Sequence, residues 1–269
     1  MAKRVILAVA GAGKTYYICH EIDPTKRNLI LAFTHENIHN IRKELCDAHG
    51  CVPELTTVTT FDAFVYHQLI LPYEPSIAEH FGCPKFVSRG ICTVDPPPQT
   101  IKNSKGKPVA NPLYKKKDKL AHYVTMRGQY YCATLSELVL QVKKNRKSLI
   151  KRAAARLNMF YDCVLIDEFQ DFREYDYKLI MALAKQLNDV VLVGDYHQHS
   201  VSATNNSGKP FKNKTVEVSY DDFVASIIKE GFTVDASTLA LVGVRLMYVT
   251  MSVINWGLKL HQTENIRVL

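Results

Sequence analysis

The sequence predicts an α/β protein: a mainly parallel sheet with helices on both faces, plus a mainly helical and irregular basic insertion. Three observations predict it. Short β-branched apolar runs alternate with stretches whose apolar residues recur at helical spacing. A glycine-rich turn joins the first apolar run to the first helix. From about Pro72 to Lys119 the texture changes to prolines, glycines and lysines, including Pro96-Pro97-Pro98 and Lys115-Lys116-Lys117-Asp118-Lys119.

Each element follows from its residues. Residues 4–10 form an apolar run suited to a strand, and 15–22 start a helix after the turn. Residues 28–33 read as a second strand, and 36–48 as a helix with Ile38, Ile41 and Leu45 on one face. A third strand is expected at 56–60, followed by a helix over 61–71 that Pro72 should end. Beyond the insertion, a helical stretch over 134–159 leads to apolar strands at 163–166 and 190–193. The domain reading is therefore 1–71 with 157–239 as one unit, 72–156 as an insertion, and 240–269 as an atypical tail.

Composition narrows the class. Of 269 residues 47% are apolar or aromatic and 22% charged, a globular profile, and no apolar run is long enough to span a bilayer. The N-terminal apolar run is cut short by glycines and Lys14, so it reads as a strand and not a signal peptide. Seven scattered cysteines without a C-x-x-C pair suggest neither zinc nor a disulfide framework and fit a reducing cytoplasm. His197 and His199 flank Gln198 without Cys or carboxylate partners and are not read as metal ligands. The formal charge of +8 favours an anionic partner, although basic surfaces are often merely solvated.

Two segments carry chemistry. Ala8-Val-Ala-Gly11-Ala-Gly13-Lys14-Thr15 lies between a strand and a helix. A bound phosphate needs close backbone N–H groups, which glycines permit, a helix N-terminus, a lysine for the β/γ-phosphates and a hydroxyl for Mg²⁺. All are present; the alternative is a glycine-rich turn with an incidental lysine. Val164-Leu-Ile166-Asp167-Glu168-Phe-Gln170-Asp171 ends a strand on an acidic pair. Such a pair can hold Mg²⁺ with one carboxylate and orient a water with the next, or it can be a solvated turn. Together the two segments predict a P-loop NTPase of RecA-like architecture, with ATP and Mg²⁺ as its ligands.

The Asp-Glu-x-Gln-Asp form at 167–171 resembles that of superfamily 1A helicases, the UvrD, Rep and PcrA group. The phosphate loop is similar to that group's Ala-x-x-Gly-x-Gly-Lys-Thr. Ala32-Phe33-Thr34-His35 resembles motif Ia, Thr60-Phe61-Asp62-Ala63-Phe64 resembles motif Ib, and Val193-Gly194-Asp195-Tyr-His-Gln198-His-Ser200 resembles motif III. The likeness spans about Val5 to Ser200, with His35, Asp62 and Ala63 departing from the group's usual side chains. It implies that Ala10, Gly11, Ala12 and Gly13 cradle phosphate, that Lys14 contacts the β/γ-phosphates, and that Thr15 and Asp167 hold Mg²⁺. Glu168 would be the general base, Gln198 the γ-phosphate sensor, and Gln170 the link from that site to the nucleic-acid groove. Thr34, His35, Thr60 and Phe64 would line the path of single-stranded DNA, the alternative for Phe64 being a packed core helix. Residues 72–156 fall where the group places its 1B subdomain.

The resemblance also implies missing parts. The first strand begins almost at Met1, leaving no room for the group's adenine-reading glutamine motif. After motif III the group continues into a second RecA-like domain that supplies two arginines, whereas here a short tail follows, with Arg245 the nearest candidate. Residues 240–269 are read as a truncated or frameshifted start of such a domain. The expected activity is a single-stranded-DNA-stimulated ATPase, helicase-like, needing another domain or subunit, with no membrane partner. Two other readings are a nucleotide-binding interaction module of a multi-subunit complex, such as one for phage defence, and an inert remnant.

Overall fold

The computed structural model describes residues 3–144, 147–198, 212–213 and 216–239. The tail 240–269, with Arg245, and the end of the motif III segment, His199 and Ser200, lie outside them.

The chain starts with β1 (Lys3–Leu7), α1 (Lys14–Glu21), β2 (Asn28–Ala32), α2 (His35–His49), β3 (Thr56–Thr60) and α3 (Phe61–Phe64). Helical turns then run to α4 (Glu74–His80). Short strands follow: β4 (Ile91–Cys92), β5 (Thr100–Lys102), β6 (Pro108–Ala110) and β7 (Tyr130–Tyr131), then α5 (Leu135–Gln141). A small hairpin of β8 (Lys143–Lys144) and β9 (Lys147–Ser148) leads to α6 (Leu149–Phe160), β10 (Cys163–Ile166), α7 (Glu174–Ala184) and β11 (Asp189–Gly194). β12 (Lys212–Asn213), β13 (Val216–Glu217), α8 (Tyr220–Lys229) and β14 (Thr233–Asp235) complete the described chain.

Six strands form one sheet in the order β14-β1-β11-β10-β2-β3, every pairing parallel. Parallel strands need crossovers, and those crossovers cover both faces with helices. The sequence shows why: alternate residues of each strand point to opposite faces, and both sets are apolar. Val5, Leu7, Leu29, Leu31, Val164, Ile166 and Leu192 pack with Leu138, Leu157, Leu179 and Phe223 from α5 to α8. Ile6, Ile30, Leu165, Val191 and Val193 pack with Ile18, Ile41 and Leu45 from α1 and α2. The expected α/β architecture is present, and among the described residues no helix is long and apolar enough to cross a membrane.

Two expected helix boundaries differ. The helix expected to stop at Pro72 continues through a π turn (Val65–Ile70) and a 3₁₀ turn (Leu71–Tyr73) into α4. Proline is tolerated because it stands in the first two positions of the 3₁₀ turn. The Gln68 carbonyl, which an α-helical residue 72 would have bonded, accepts instead from Arg156 Nη1 at 3.4 Å. The helix expected over 134–159 is broken: Val142 is extended (φ −72°, ψ 119°), and the β8–β9 hairpin separates α5 from α6. The sequence there is Lys143-Lys-Asn-Arg-Lys147, whose like charges would repel one another along a continuous helix. The break also lets Leu138 of α5 and Leu157 of α6 enter one core. The first strand is shorter than expected, because the chain leaves the sheet at Ala8 to form the phosphate loop.

Residues 72–156 contribute Tyr73, Ile77, Tyr123, Tyr130, Leu135, Leu138 and Leu157's neighbour Ala153 to the same buried cluster as the sheet. Only its middle, around the β5–β6 hairpin, stands clear, with all six strand residues exposed. This predicts that Leu138→Ala and Leu192→Ala, one in α5 and one in the sheet, each lower the same unfolding transition by about 2–5 kcal/mol. Urea unfolding followed by circular dichroism checks it; a separate transition moved by Leu138→Ala alone overturns the shared core.

Candidate functional site

The site lies at the C-terminal ends of β1, β10 and β11, where a doubly covered parallel sheet binds its ligands. The chain leaves β1 through Ala8, whose N–H bonds the Gly194 carbonyl at 3.0 Å, and turns back at Ala12, whose N–H bonds the Val9 carbonyl at 3.2 Å. Ala12 itself is fully buried among the α1 and α2 contacts, so it shapes the loop from below. Gly11 (φ +75°) and Gly13 (φ +81°) are left-handed, a conformation open to glycine at little cost. Gly13 is the N-cap of α1, and no side chain caps that helix. Its first amides are thus left for another acceptor, and the helix dipole favours an anion.

Behind this loop, β10 delivers two carboxylates. Asp167, 2% exposed, accepts a hydrogen bond from Thr15 Oγ1 at 3.3 Å on Oδ2, and from the Glu168 amide at 3.0 Å on Oδ1. Burial, and next the Glu168 charge, push the Asp167 carboxyl up to about 6. Burial and Glu168 also raise Asp171. Lys14, nearly buried, lies 3.7 Å from Glu168 Oε2. Glu168 adopts φ 53°, and among the described residues no other non-glycine has positive φ. Such a conformation costs on the order of 1–3 kcal/mol and persists only where its surroundings impose it.

Gln170 supplies part of that imposition. Its Nε2 donates to Glu168 Oε2, and its Oε1 accepts from the Asp195 amide at 3.0 Å. The Gln170 side chain thereby ties the tip of β10 to the tip of β11. Gly194 makes this approach possible, since a Cβ there would stand 2.4 Å from Gln170 Oε1 and 2.6 Å from Phe169 Cδ1. Gly194 and Asp195 were visible in the sequence only as motif letters, and their role as the floor and partner of Gln170 arises from strand register.

The structure thus brings Gly11, Gly13, Lys14, Thr15, Asp167, Glu168 and Gln170 together. Ala10 is exposed on the same loop. Gln198 closes a 3₁₀ turn (Tyr196–Gln198) just past β11; its amide bonds the Asp195 carbonyl at 3.3 Å, and its exposed side chain bonds none of the cluster. Among the residues expected to line the strand path, Thr34 and Thr60 are helix N-caps, accepting from Asn37 N at 3.0 Å and Ala63 N at 3.3 Å. Thr34 and His35 are exposed and Thr60 is partly so. Phe64 does not fit the reading as a base-contacting residue. It is 1% exposed, its ring 6.3 Å from that of Phe61, because α3 turns it into the core beneath the sheet.

The donor set fits a magnesium nucleotide. Among the described residues no cluster of three or more His, Cys, Asp or Glu could hold a metal unaided. Mg²⁺ in phosphate sites characteristically takes one or two protein ligands and completes its shell with phosphate and water, as Thr15 and Asp167 would allow. The carboxylate raised by burial and by Glu168 is also one whose charge a cation would relieve.

An all-parallel sheet with a left-handed glycine loop at the first strand tip and paired carboxylates on a neighbouring tip defines a RecA-like P-loop NTPase fold. Residues 2–204 match the family model of an AAA domain, a domain found in UvrD/Rep-like superfamily 1 helicases. The chain belongs to that family, whose members suggest nucleotide hydrolysis and imply nucleotide binding, typically with Mg²⁺. No curated protein matches the chain.

A pH dependence follows from Asp167. Its folded value of about 6 exceeds the ordinary 3.8, so the folded chain holds this proton more tightly than the unfolded chain does. The associated stability is fully present below pH 4 and is lost as pH rises through about 6, amounting to up to about 3 kcal/mol. Without nucleotide or metal, Asp167→Asn should remove that loss and stabilise the chain at pH 7.5 relative to wild type. Denaturant midpoints between pH 5 and 8 measure it; parallel curves for the two proteins would count against a buried, charged Asp167.

Proposed function

We propose that this chain is the ATP-binding and ATP-hydrolysing motor domain of a UvrD-like superfamily 1 helicase acting on single-stranded DNA, working with a second motor domain or partner subunit. The observation that carries the reading is the meeting of Lys14 with Glu168 at 3.7 Å and of Thr15 with Asp167 at 3.3 Å. Lys14 and the amides of the glycine loop bind the β- and γ-phosphates, and Thr15 and Asp167 hold Mg²⁺, which supplies neutralisation of phosphate charge. Lys14, drawn to phosphate, releases Glu168 to take a proton from the attacking water. Gln170 holds the other side of Glu168, and Gln198 is available to a γ-phosphate from its exposed turn.

The need for a partner rests on the arginines. Among the described residues none hydrogen-bonds or ion-pairs with Lys14, Thr15, Asp167 or Glu168. An arginine supplied to the transition state can be worth about 10³–10⁵ in rate, so slow turnover by the chain alone is expected. The same observation favours a second reading, in which the chain binds nucleotide to switch its association with other subunits and hydrolyses little.

DNA as the partner is supported by where the charge sits. Residues 81–130 carry ten lysines and arginines against two aspartates, which equals the +8 of the whole chain. The β5–β6 hairpin projects Lys102, Lys105 and Lys107 around a tip fixed by Asn103, whose Oδ1 accepts from the amides of Lys105 (3.0 Å) and Lys107 (2.9 Å). No aromatic ring of 81–130 is exposed, which favours contact with phosphates over stacking on bases.

Hydrolysis of ATP by the purified chain, with and without oligo-dT, tests the motor. Lys14→Ala should abolish nucleotide binding. Glu168→Gln should keep binding and lower turnover by about 10²–10⁴. Stimulation by DNA is expected; nucleotide-dependent association with no turnover supports the second reading, and nucleotide binding that survives Lys14→Ala overturns both. For the basic hairpin, Lys102→Ser/Lys105→Ser/Lys107→Ser should weaken DNA binding and reduce the slope of log affinity against log salt by about 0.7 per lost phosphate contact. An unchanged slope places the DNA elsewhere.

A further inference from the structure

We infer that Arg173 is a positioning residue which, through Asp62, ties the loop bearing Glu168 to the strand tips flanking the proposed DNA path, and so carries DNA occupancy to the nucleotide site. The inference rests on the motor reading above, and what it adds is the physical connection.

Arg173 follows the acidic motif and opens α7. Its Nε donates to Asp176 Oδ2 at 2.7 Å, and its Nη2 donates to Asp62 Oδ1 at 2.8 Å. Its backbone amide donates to the same Asp176 oxygen at 3.1 Å. Asp176 is 2% exposed, and its other oxygen accepts from Ser136 Oγ of α5 at 2.5 Å. The guanidinium therefore cannot shift without disturbing α5 and α7 on one side and α3 on the other. Asp62 lies two residues past Thr60. Burial raises its carboxyl, a change that the nearby Arg173 charge opposes.

The adjacent residue grips both strand tips. The ring of Phe172 stands edge-on to Phe33 and to Phe61, each at 5.1 Å between centroids. Phe33 precedes Thr34 at the end of β2, and Phe61 follows Thr60 at the end of β3. Toward the nucleotide site, Phe172 and Arg173 are separated from Glu168 by a single 3₁₀ turn (Phe169–Asp171), closed by Asp171 N to Glu168 O at 2.9 Å and Phe172 N to Phe169 O at 3.3 Å. One tight turn leaves little slack, so a displacement of the β2 and β3 tips reaches the left-handed Glu168. Arg173 pairs with Asp62 and Asp176, outside the cluster of Lys14, Thr15, Asp167 and Glu168, and acts through Glu168.

The planar fork is what this position needs. It meets two carboxylates on different elements at once, which the single ammonium of lysine matches poorly. Asp62→Asn keeps the shape and leaves Arg173 paired with Asp176, so folding should survive.

The test uses the whole chain with Asp62→Asn, Arg173→Lys and the double variant, each checked by thermal unfolding. ATP turnover is measured without DNA and across an oligo-dT titration. Each single variant should lose about tenfold of DNA-stimulated kcat, while the DNA concentration for half-maximal effect moves by less than about threefold. The double variant should be no worse than the poorer single, since both cut one tie. Stimulated turnover within about twofold of wild type in either folded single variant overturns the inference, as does a loss accounted for by weaker DNA binding. Wild type that ignores DNA while hydrolysing ATP defeats the motor reading itself and takes the inference with it.

Discussion

Two carboxylates on consecutive residues, at the end of a buried strand and beside one lysine, set the terms for the rest of the site. Asp167 is almost wholly removed from water, and the charge of Glu168 next to it further opposes its ionisation. The surroundings answer that charge: Thr15 donates to Asp167, Lys14 approaches Glu168, and Gln170 donates to Glu168. The left-handed backbone of Glu168 is what turns the second carboxylate away from the strand and toward the lysine. A site so arranged sets negative charge that a cation would offset next to a helix end that favours an anion. A magnesium nucleotide is both.

The parallel sheet makes this arrangement rigid. β10 and β11 lie between β1 and β2, with apolar residues on both faces, so the tips that carry the phosphate loop and the carboxylates cannot move independently. Residues 72–156, read from the sequence as an insertion, reinforce one face of the sheet. α5 and α6 bury Leu138, Ala153 and Leu157 against the same cluster as Leu179 of α7, while only the basic hairpin region projects. The Ser136–Asp176–Arg173–Asp62 chain of contacts, buried at its Ser136–Asp176 end, joins that face to the strand tips. Asp62, a departure from the resembled motif, thus has a structural explanation in the guanidinium it meets.

Legibility in the sequence differed by kind of feature. The phosphate loop was readable because glycines, lysine and a hydroxyl are needed at fixed spacing, and local chain geometry then leaves few alternatives. The sheet was readable because strands buried on both faces are continuous apolar runs. Phe64 was not, since an aromatic in a helix can face either core or groove and only packing chooses. Pro72 was not, since its tolerance depends on Arg156, distant in sequence, satisfying the freed Gln68 carbonyl. The helix break at 143–148 had a charge signal, yet the apolar period on either side outweighed it.

By itself the sequence determined the parallel α/β class and pointed to Lys14, Thr15, Asp167 and Glu168 as candidates at strand ends, because these depend on local spacing and hydrophobic period. Tertiary structure alone decided that Gln170 reaches Asp195 over Gly194, that Arg173 joins Asp62 to Asp176, and that Phe64 is core. Those contacts join residues 25, 111 and 3 positions apart in one case each, and the longer ones exist only through strand order and register. A pattern of residue types cannot encode which distant partner fills a hydrogen bond; the packed sheet does, by fixing where each strand tip ends.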